Sequence, residues 1–558
     1  MTIWRVLNLE LLLDEPESLL RERACEKIGV QLEQLRGFRI AQKSLDVRGR
    51  RKGRAARFVA HVDLELPDEL KSRTLERALR SGHVKVAPIS GELRVADPVA
   101  DFRGKTRRAV VVGTGPAGIF AGLVLARSGV QVDLIDRGAV LEERGTDLVR
   151  FHRTRVPNPE SNLLFGEGGA GTYSDGKLYT RVDDPLEVPI LEELVACGAP
   201  PEILYDARAH IGTDRLHTLL PKLRALLEDH GARFHWRTRL EGLRVDDGRP
   251  ARVIAARTTA GELPCDMLVL APGHSARDTW AALAEDGVPF AARAFQLGVR
   301  VEHPQELIDE GRYGGIPGAD ALGAASYNLV SKAGTDVPGA HSFCMCPGGR
   351  IVASINEPGM LCTNGMSNST HSSRYANAAI VTTFGPREYG EGAFAGLALQ
   401  RELEERFFAA GGGDYTAPAQ RVDDFLERRD SSSLGGTSYT FGQIPGRIDR
   451  LLPERARAAL SVALARFDRR IPGFGGSAGI LVGLESRSSG PVRIPRDREN
   501  FRAEGFWNLY PVGEGAGYAG GIMSAALDGA RAATAALRIG IGAPGTTRTT
   551  GPDPGPAC

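Results

Sequence analysis

The chain has 558 residues, of which 42% are hydrophobic and 25% charged, and a formal net charge of +1. Such a length predicts two or three domains with ample core, and the balanced charge argues against a disordered chain or a dedicated nucleic-acid binder. Seven cysteines, odd in number and scattered, do not make a secreted disulfide framework, so a reducing cytoplasmic location is expected. The N-terminal stretch lacks the pattern of a secretory leader, and no segment nears the roughly 18 uninterrupted apolar residues of a membrane span.

Residues 1–100 read as an α+β module of their own. Trp4–Leu13 alternates like a strand, Pro16–Leu35 is periodic like a helix, Phe38–Val47 and Arg57–Leu66 are strands, and Asp68–Ser81 is a second helix. Between the second and third strands runs Arg48-Gly-Arg50-Arg51-Lys52-Gly-Arg54. It has no interleaved aromatics for base stacking, so a solvated hairpin tip is the better reading than an RNA contact.

A linker, Asp97–Arg108, leads to the most informative stretch. A buried strand, Ala109–Val112, runs into Gly113-Thr-Gly115-Pro116-Ala117-Gly118 and a helix, and a second strand closes on Asp136-Arg137. Gly113 permits the tight turn, Gly115 lets backbone approach a pyrophosphate, and Gly118 lets the helix lie close to the strand. Asp136, at the end of the second strand, is placed to accept hydrogen bonds from a ribose. Gly113, Gly115, Pro116, Ala117, Gly118, Asp136 and Arg137 are therefore expected at a dinucleotide.

A second glycine-rich loop follows, Gly166-Glu-Gly168-Gly169-Ala170-Gly171-Thr172-Tyr-Ser174-Asp-Gly-Lys177. It is a poor helix or strand but a good backbone cradle. Gly168, Gly169, Ala170, Gly171, Thr172 and Ser174 are expected beside the cofactor, and Lys177 beside flavin or substrate. Helices over Leu186–Cys197 and Asp214–His230 precede strands Ala232–Leu240, Leu243–Val245, Ala251–Thr259 and Glu262–Leu270, with Leu240 a further contact candidate. The last strand ends in Ala271-Pro-Gly273-His274, the second mark of FAD-binding folds after the Gly113–Asp136 unit, so Gly273 is expected at the cofactor, and His274 is either a local cap or an acid or base near the flavin.

From about Ala291 to Gly476 the alternation changes to that of an antiparallel sheet carrying helices, expected as an inserted α+β domain over the substrate. Cys344-Met-Cys346 within it reads as buried packing, as pocket lining, or as redox or metal chemistry. An apolar strand, Ile480–Leu484, ends in Glu485, and Arg487 follows; each is either functional or structural. A third mark, Gly513-Glu514-Gly-Ala-Gly-Tyr-Ala-Gly520-Gly521-Ile522-Met523, brings an acid and then a helix N-terminus, whose dipole suits the negative charge of a reduced flavin. Three marks in this order indicate FAD rather than NAD.

The runs Phe165–Lys177, Gly273–Asp278, Ser342–Gly349, Thr363–Ser367 and Tyr510–Ser524 resemble a family of bacterial FAD-dependent dehydrogenases, largely uncharacterised, and the similarity extends over nearly all of residues 1–537. The resemblance implies an FAD oxidoreductase. The expected fold is α/β: a discontinuous Rossmann-like FAD-binding domain (107–290 and 477–538), an inserted α+β domain (291–476), the N-terminal module, and a disordered tail from 539. The expected reaction is hydride transfer between a small-molecule substrate and flavin N5, with Lys177, Glu485 and Arg487 as catalytic candidates and no metal. There is no second complete strand, Gly-x-Gly-x-x-Gly and helix unit in mid-chain, so NAD(P)H, if used, would act at a transient site over the flavin, or the donor would be external. A flavin monooxygenase and an RNA-modifying flavoprotein are the alternatives.

Overall fold

A computed structural model describes residues 2–47, 55–70, 72–88, 90–98, 107–178, 182 and 184–540. The basic run 48–54, most of the linker and all but the first two residues of the tail lie outside the described residues. In the N-terminal module, β1 (Thr2–Leu12), α1 (Leu19–Ile28), β2 (Gly37–Asp46), β3 (Arg57–Leu66), α2 (Arg73–Arg80) and β4 (Val84–Val86) form one antiparallel sheet in the order β2-β3-β1-β4. Val6, Val62 and Leu64 from the strands pack on Leu20, Ile28 and Leu75 from the helices. The helix expected over Pro16–Leu35 stops at Gly29, whose φ of 67° turns the chain out of α1.

The nucleotide-binding layer begins with β5 (Arg108–Val112), α3 (Pro116–Arg127), β6 (Gln131–Ile135), α4 (Leu141–Thr154), α5 (Glu187–Ala196), α6 (Thr213–Asp229) and β7 (Arg233–His235). An antiparallel three-stranded sheet, β8 (Leu240–Val245), β9 (Val253–Thr258) and β10 (Gly261–Pro264), intervenes before β11 (Met267–Leu270) returns beside β5. The single strand expected over Glu262–Leu270 is thus two strands in two sheets. Val110 and Val111 are buried on both faces, as continuous apolar strands of a parallel sheet must be.

The chain then builds a second large sheet. Its elements are α7 (Arg277–Glu285), β12 (Ala291–Ala292), β13 (Phe295–Pro304), α8 (Gln305–Tyr313), β14 (Val330–Ser331), β15 (Ala340–Cys346), β16 (Arg350–Ala353), β17 (Thr363–Met366), β18 (Tyr375–Phe384), α9 (Pro386–Tyr389) and α10 (Ala395–Ala410). They continue with β19 (Ala417–Arg421), α11 (Val422–Glu427), β20 (Gln443–Pro445), α12 (Ile448–Leu451), α13 (Glu454–Asp468) and β21 (Ile480–Glu485). Seven strands pair in the order β14-β15-β18-β13-β21-β19-β20. β21, grouped above with the nucleotide-binding segment from 477, instead hydrogen-bonds to β13 and β19, because its fully buried run needs both neighbours of a sheet. β22 (Val492–Arg493) pairs with β12 where the two layers join, and β23 (Leu509–Pro511) completes the parallel order β23-β11-β5-β6-β7. The last helix, α14 (Ile522–Ile539), lies against α3; at their crossing a Cβ on Gly529 would strike the Ala117 carbonyl.

Candidate active site

Four glycine-bearing turns converge at the C-terminal ends of β5, β11 and β23. Gly113 has φ 96°, and a Cβ there would run into the Ala271 carbonyl at the end of β11. A Cβ on Gly118 would run into the Gly113 carbonyl, so only glycine lets α3 start so close to β5. Gly115 caps α3, Pro116 and Ala117 form its first turn, and the second glycine loop passes directly over it: a Cβ on Gly169 would sit 3.2 Å from the Gly115 Cα. Gly171 faces Ile522 and Pro116, the backbone of Gly515 abuts Gly273, and Gly513 faces Ala117. All three marks are brought together.

The side chains expected to touch the nucleotide are largely committed within the chain. The Asp136 carboxylate accepts from Thr114 N (2.9 Å) and Oγ1 (2.7 Å) and from the amides of Gly138 (2.9 Å) and Gly166 (3.0 Å). These fill its acceptor positions, so it ties the first glycine loop to the second instead of offering a free oxygen to a ribose. Arg137 pairs with Glu160 (2.9 Å) and Asp278 (2.7 Å). The Thr172 hydroxyl donates to the Glu167 carbonyl (2.7 Å) and that of Ser174 to the Gly171 carbonyl (2.7 Å), so both stabilise the loop. Leu240 is buried among Val110, Ile135 and Leu268 as a core residue. Met523 is likewise buried, and Ile522 packs on Gly171 at the start of α14.

Sequence reasoning missed Arg144. Fully buried on α4, it donates to the carbonyls of Asn162 (2.7 Å), Glu167 (2.6 Å) and Gly169 (2.9 Å) and to Thr172 Oγ1 (3.1 Å), and so shapes the second loop from within. The available signal was a lone cation on the face of α4 that also carries Leu141 and Phe151.

The residues fit a flavin dinucleotide. At Gly273, Gly520 and Gly521 an added Cβ meets nothing within 4 Å, so these backbones border open space. The first turns of α3 and α14 leave amides without intrahelical partners, the arrangement that receives phosphate and an electron-rich ring edge. Glu514 follows the Gly513 turn; burial pushes its carboxyl up to about 7, with Arg293 opposing. His274 Nε2 is 3.7 Å from Glu514, its Nδ1 2.9 Å from Ser275 Oγ, and burial together with Arg487 and Arg277 lowers it to about 4, so it is neutral at physiological pH.

The opposite wall consists of buried charge. Glu404, 0% exposed on α10, receives Arg277 (2.9 Å) and Arg487 (2.6 Å). Burial pushes its carboxyl up, but the two guanidiniums outweigh that and hold it well below the usual carboxylate range. Arg487 also donates to Asn356, and Glu485 makes a two-pronged pair with Arg300 (2.8 and 3.2 Å). Both catalytic candidates are therefore locked in structural pairs. Lys177 differs. Its ammonium pairs with Asp175 (2.5 Å), lies 3.9 Å from Cys346 Sγ, and keeps 21% of its side chain exposed. Asp175 also accepts from Ser367, just beyond β17, so Lys177 sits where the second glycine loop meets the large sheet.

The fold and these turns define an FAD-binding protein. Residues 106–155 match a family model described as an FAD binding domain, and residues 294–488 one described as FAD-dependent protein, C-terminal domain-like. An uncharacterized protein of Clostridium beijerinckii is 37% identical over 533 residues, covering 95% of this chain and 97% of that protein. The chain belongs to the same family of FAD-dependent proteins as that relative, and its cofactor is FAD. Among solved structures, L-proline dehydrogenase from P. horikoshii is 12% identical with a TM-score of 0.32, covering 77% of this chain and 92% of that one. Glycine oxidase from Geobacillus kaustophilus is 13% identical with a TM-score of 0.30, covering 77% and 95%. At these scores the two likenesses carry no argument. Among the described residues no helix is long and apolar enough to cross a membrane, and no group of three or more metal-ligating side chains is gathered.

Proposed function

We propose that the protein is an FAD-dependent oxidoreductase of the dehydrogenase, oxidase or C=C reductase type acting on a small molecule. Bound FAD supplies a ring that accepts or donates two electrons. The observation that carries the reading is the contrast among the three candidates: Glu485 and Arg487 are consumed in buried pairs, whereas Lys177, paired with Asp175 beside the second glycine loop, keeps 21% of its side chain exposed. Burial works against the lysine's charge, but the Asp175 carboxylate at 2.5 Å favours the protonated amine. Lys177 then orients an electron-rich substrate group and stabilises the negative charge that develops there; it does not act as a base. Glu404 with Arg277 and Arg487 fixes the wall behind the substrate and excludes water. NAD(P)H, if used, acts as a transient donor over the same face.

Anaerobic mixing of the purified flavoprotein with a metabolite panel, NADH and NADPH tests the proposal. Bleaching of the flavin by a small molecule is expected. A flavin that only NAD(P)H reduces, with oxygen uptake and hydroxylated product once air is admitted, points instead to monooxygenation.

A further inference from the structure

β15 is irregular where it passes Lys177. Its register against β18 shifts between Phe343 and Cys346, and Cys344 within the bulge has φ 42°, a left-handed conformation that strains a non-glycine residue. The distortion is held in place. The Cys344 carbonyl accepts from Arg300 Nη1 (3.1 Å) and from Cys346 Sγ (3.3 Å). Cys346 is fully buried, Cys344 is half-buried, and Lys177 and Arg300 act on both thiols. Simple packing needs neither a strained backbone nor two thiols gathered about a lysine. Bulges that re-aim a side chain recur beside active sites.

We propose that Cys344 and Cys346 form a redox-active dithiol that exchanges two electrons with FAD bound in the same site. In the oxidising direction two S–H bonds break, one S–S bond forms, and two electrons and two protons pass to FAD, giving the reduced flavin; the reverse regenerates the dithiol. Cys344, the more exposed, is the sulfur through which a small disulfide or dithiol substrate exchanges, and Cys346 is the resolving sulfur. Lys177 offsets the charge that forms on Cys346 when it leaves as a thiolate. Burial pushes the Cys344 thiol up to about 12, and Lys177 and Arg300 pull the other way. Both sulfurs thus hold their protons at neutral pH, and electron loss carries two protons with it.

This inference rests on the flavin reading above, and one titration separates the two. The holoprotein is oxidised with a small disulfide, freed of it, and titrated anaerobically with dithionite while flavin absorbance is followed. Four electron equivalents per FAD are expected for the wild type, and two for Cys344→Ser and for Cys346→Ser. In parallel, the oxidised wild type is denatured, alkylated and digested with trypsin. The peptide 333–350, which carries both cysteines, should be two hydrogens lighter and unalkylated. Intact flavin absorbance with only two equivalents in the wild type, and a peptide alkylated at both sulfurs, overturns the dithiol. Absent flavin absorbance overturns the flavin reading instead. The peptide mass keeps the test decisive even if a serine variant fails to fold.

Discussion

The two faces of the site are built from different materials. The nucleotide face is backbone: glycines at 113, 118, 169, 513 and 515 let turns touch, and the acid at its centre, Asp136, binds amides of the protein itself. The face proposed to meet the substrate is side chains: two buried ion-pair clusters, Arg277–Glu404–Arg487 and Arg300–Glu485, and the partly open Lys177–Asp175 pair. A backbone cradle depends on the absence of atoms and is broken by adding a methyl. A buried charge wall depends on balance and is broken by removing one charge. The first kind of face suits an invariant cofactor, and the second sets what lies against it.

The comparison can be broken from either side. Gly118→Ala drives a methyl into the Gly113 carbonyl and pushes α3 off β5; FAD affinity, read by fluorescence titration of the apoprotein, should fall at least ~100-fold, or about 3 kcal/mol. Glu404→Gln leaves two buried guanidiniums short of a counter-charge and should cost about 3 kcal/mol in urea unfolding. Because the Glu404 carboxyl is held below its ordinary value, its stabilisation is present above the unfolded value of about 4.3 and disappears as the pH falls through the depressed one. The gap between wild type and variant should therefore narrow in acid.

Glu514 has the opposite sign. Its folded carboxyl is raised to about 7, so the associated stability is present below the unfolded value and is lost as the pH rises towards 7. Glu514→Gln should flatten the decline in urea midpoint between about pH 5 and pH 7. The smallest effect is expected of Arg401→Ala. Its pair with Glu357 is surface-exposed on the arginine side, and its loss should shift stability by less than about 1 kcal/mol. A large effect there would erase the distinction between buried and exposed charge on which the substrate wall depends.

The nucleotide face was legible in the sequence because its parts are local: a strand, a glycine turn and a helix cap are each set within a few residues. The tight turn at Gly113 and the close helix start at Gly118 could be assigned from spacing alone, and a Cβ at either position would strike a backbone carbonyl. The substrate face was not legible, because its partners are far apart in the chain. Nothing near Arg487 announces Glu404, and nothing near Glu485 announces Arg300. Even at Asp136 the position was readable but its partners were not, since Gly166 reaches it from a different loop. Likewise β21 reads as a strand in isolation, while its place in the large sheet depends on β13 and β19.

The division of labour between the faces is tested most directly by the FAD dissociation constant of Lys177→Met. If backbone holds the cofactor and Lys177 serves the substrate, the variant should bind FAD within about threefold of wild type. A loss approaching the ~100-fold expected for Gly118→Ala would contradict the account, because Lys177 would then belong to the cofactor's own grip.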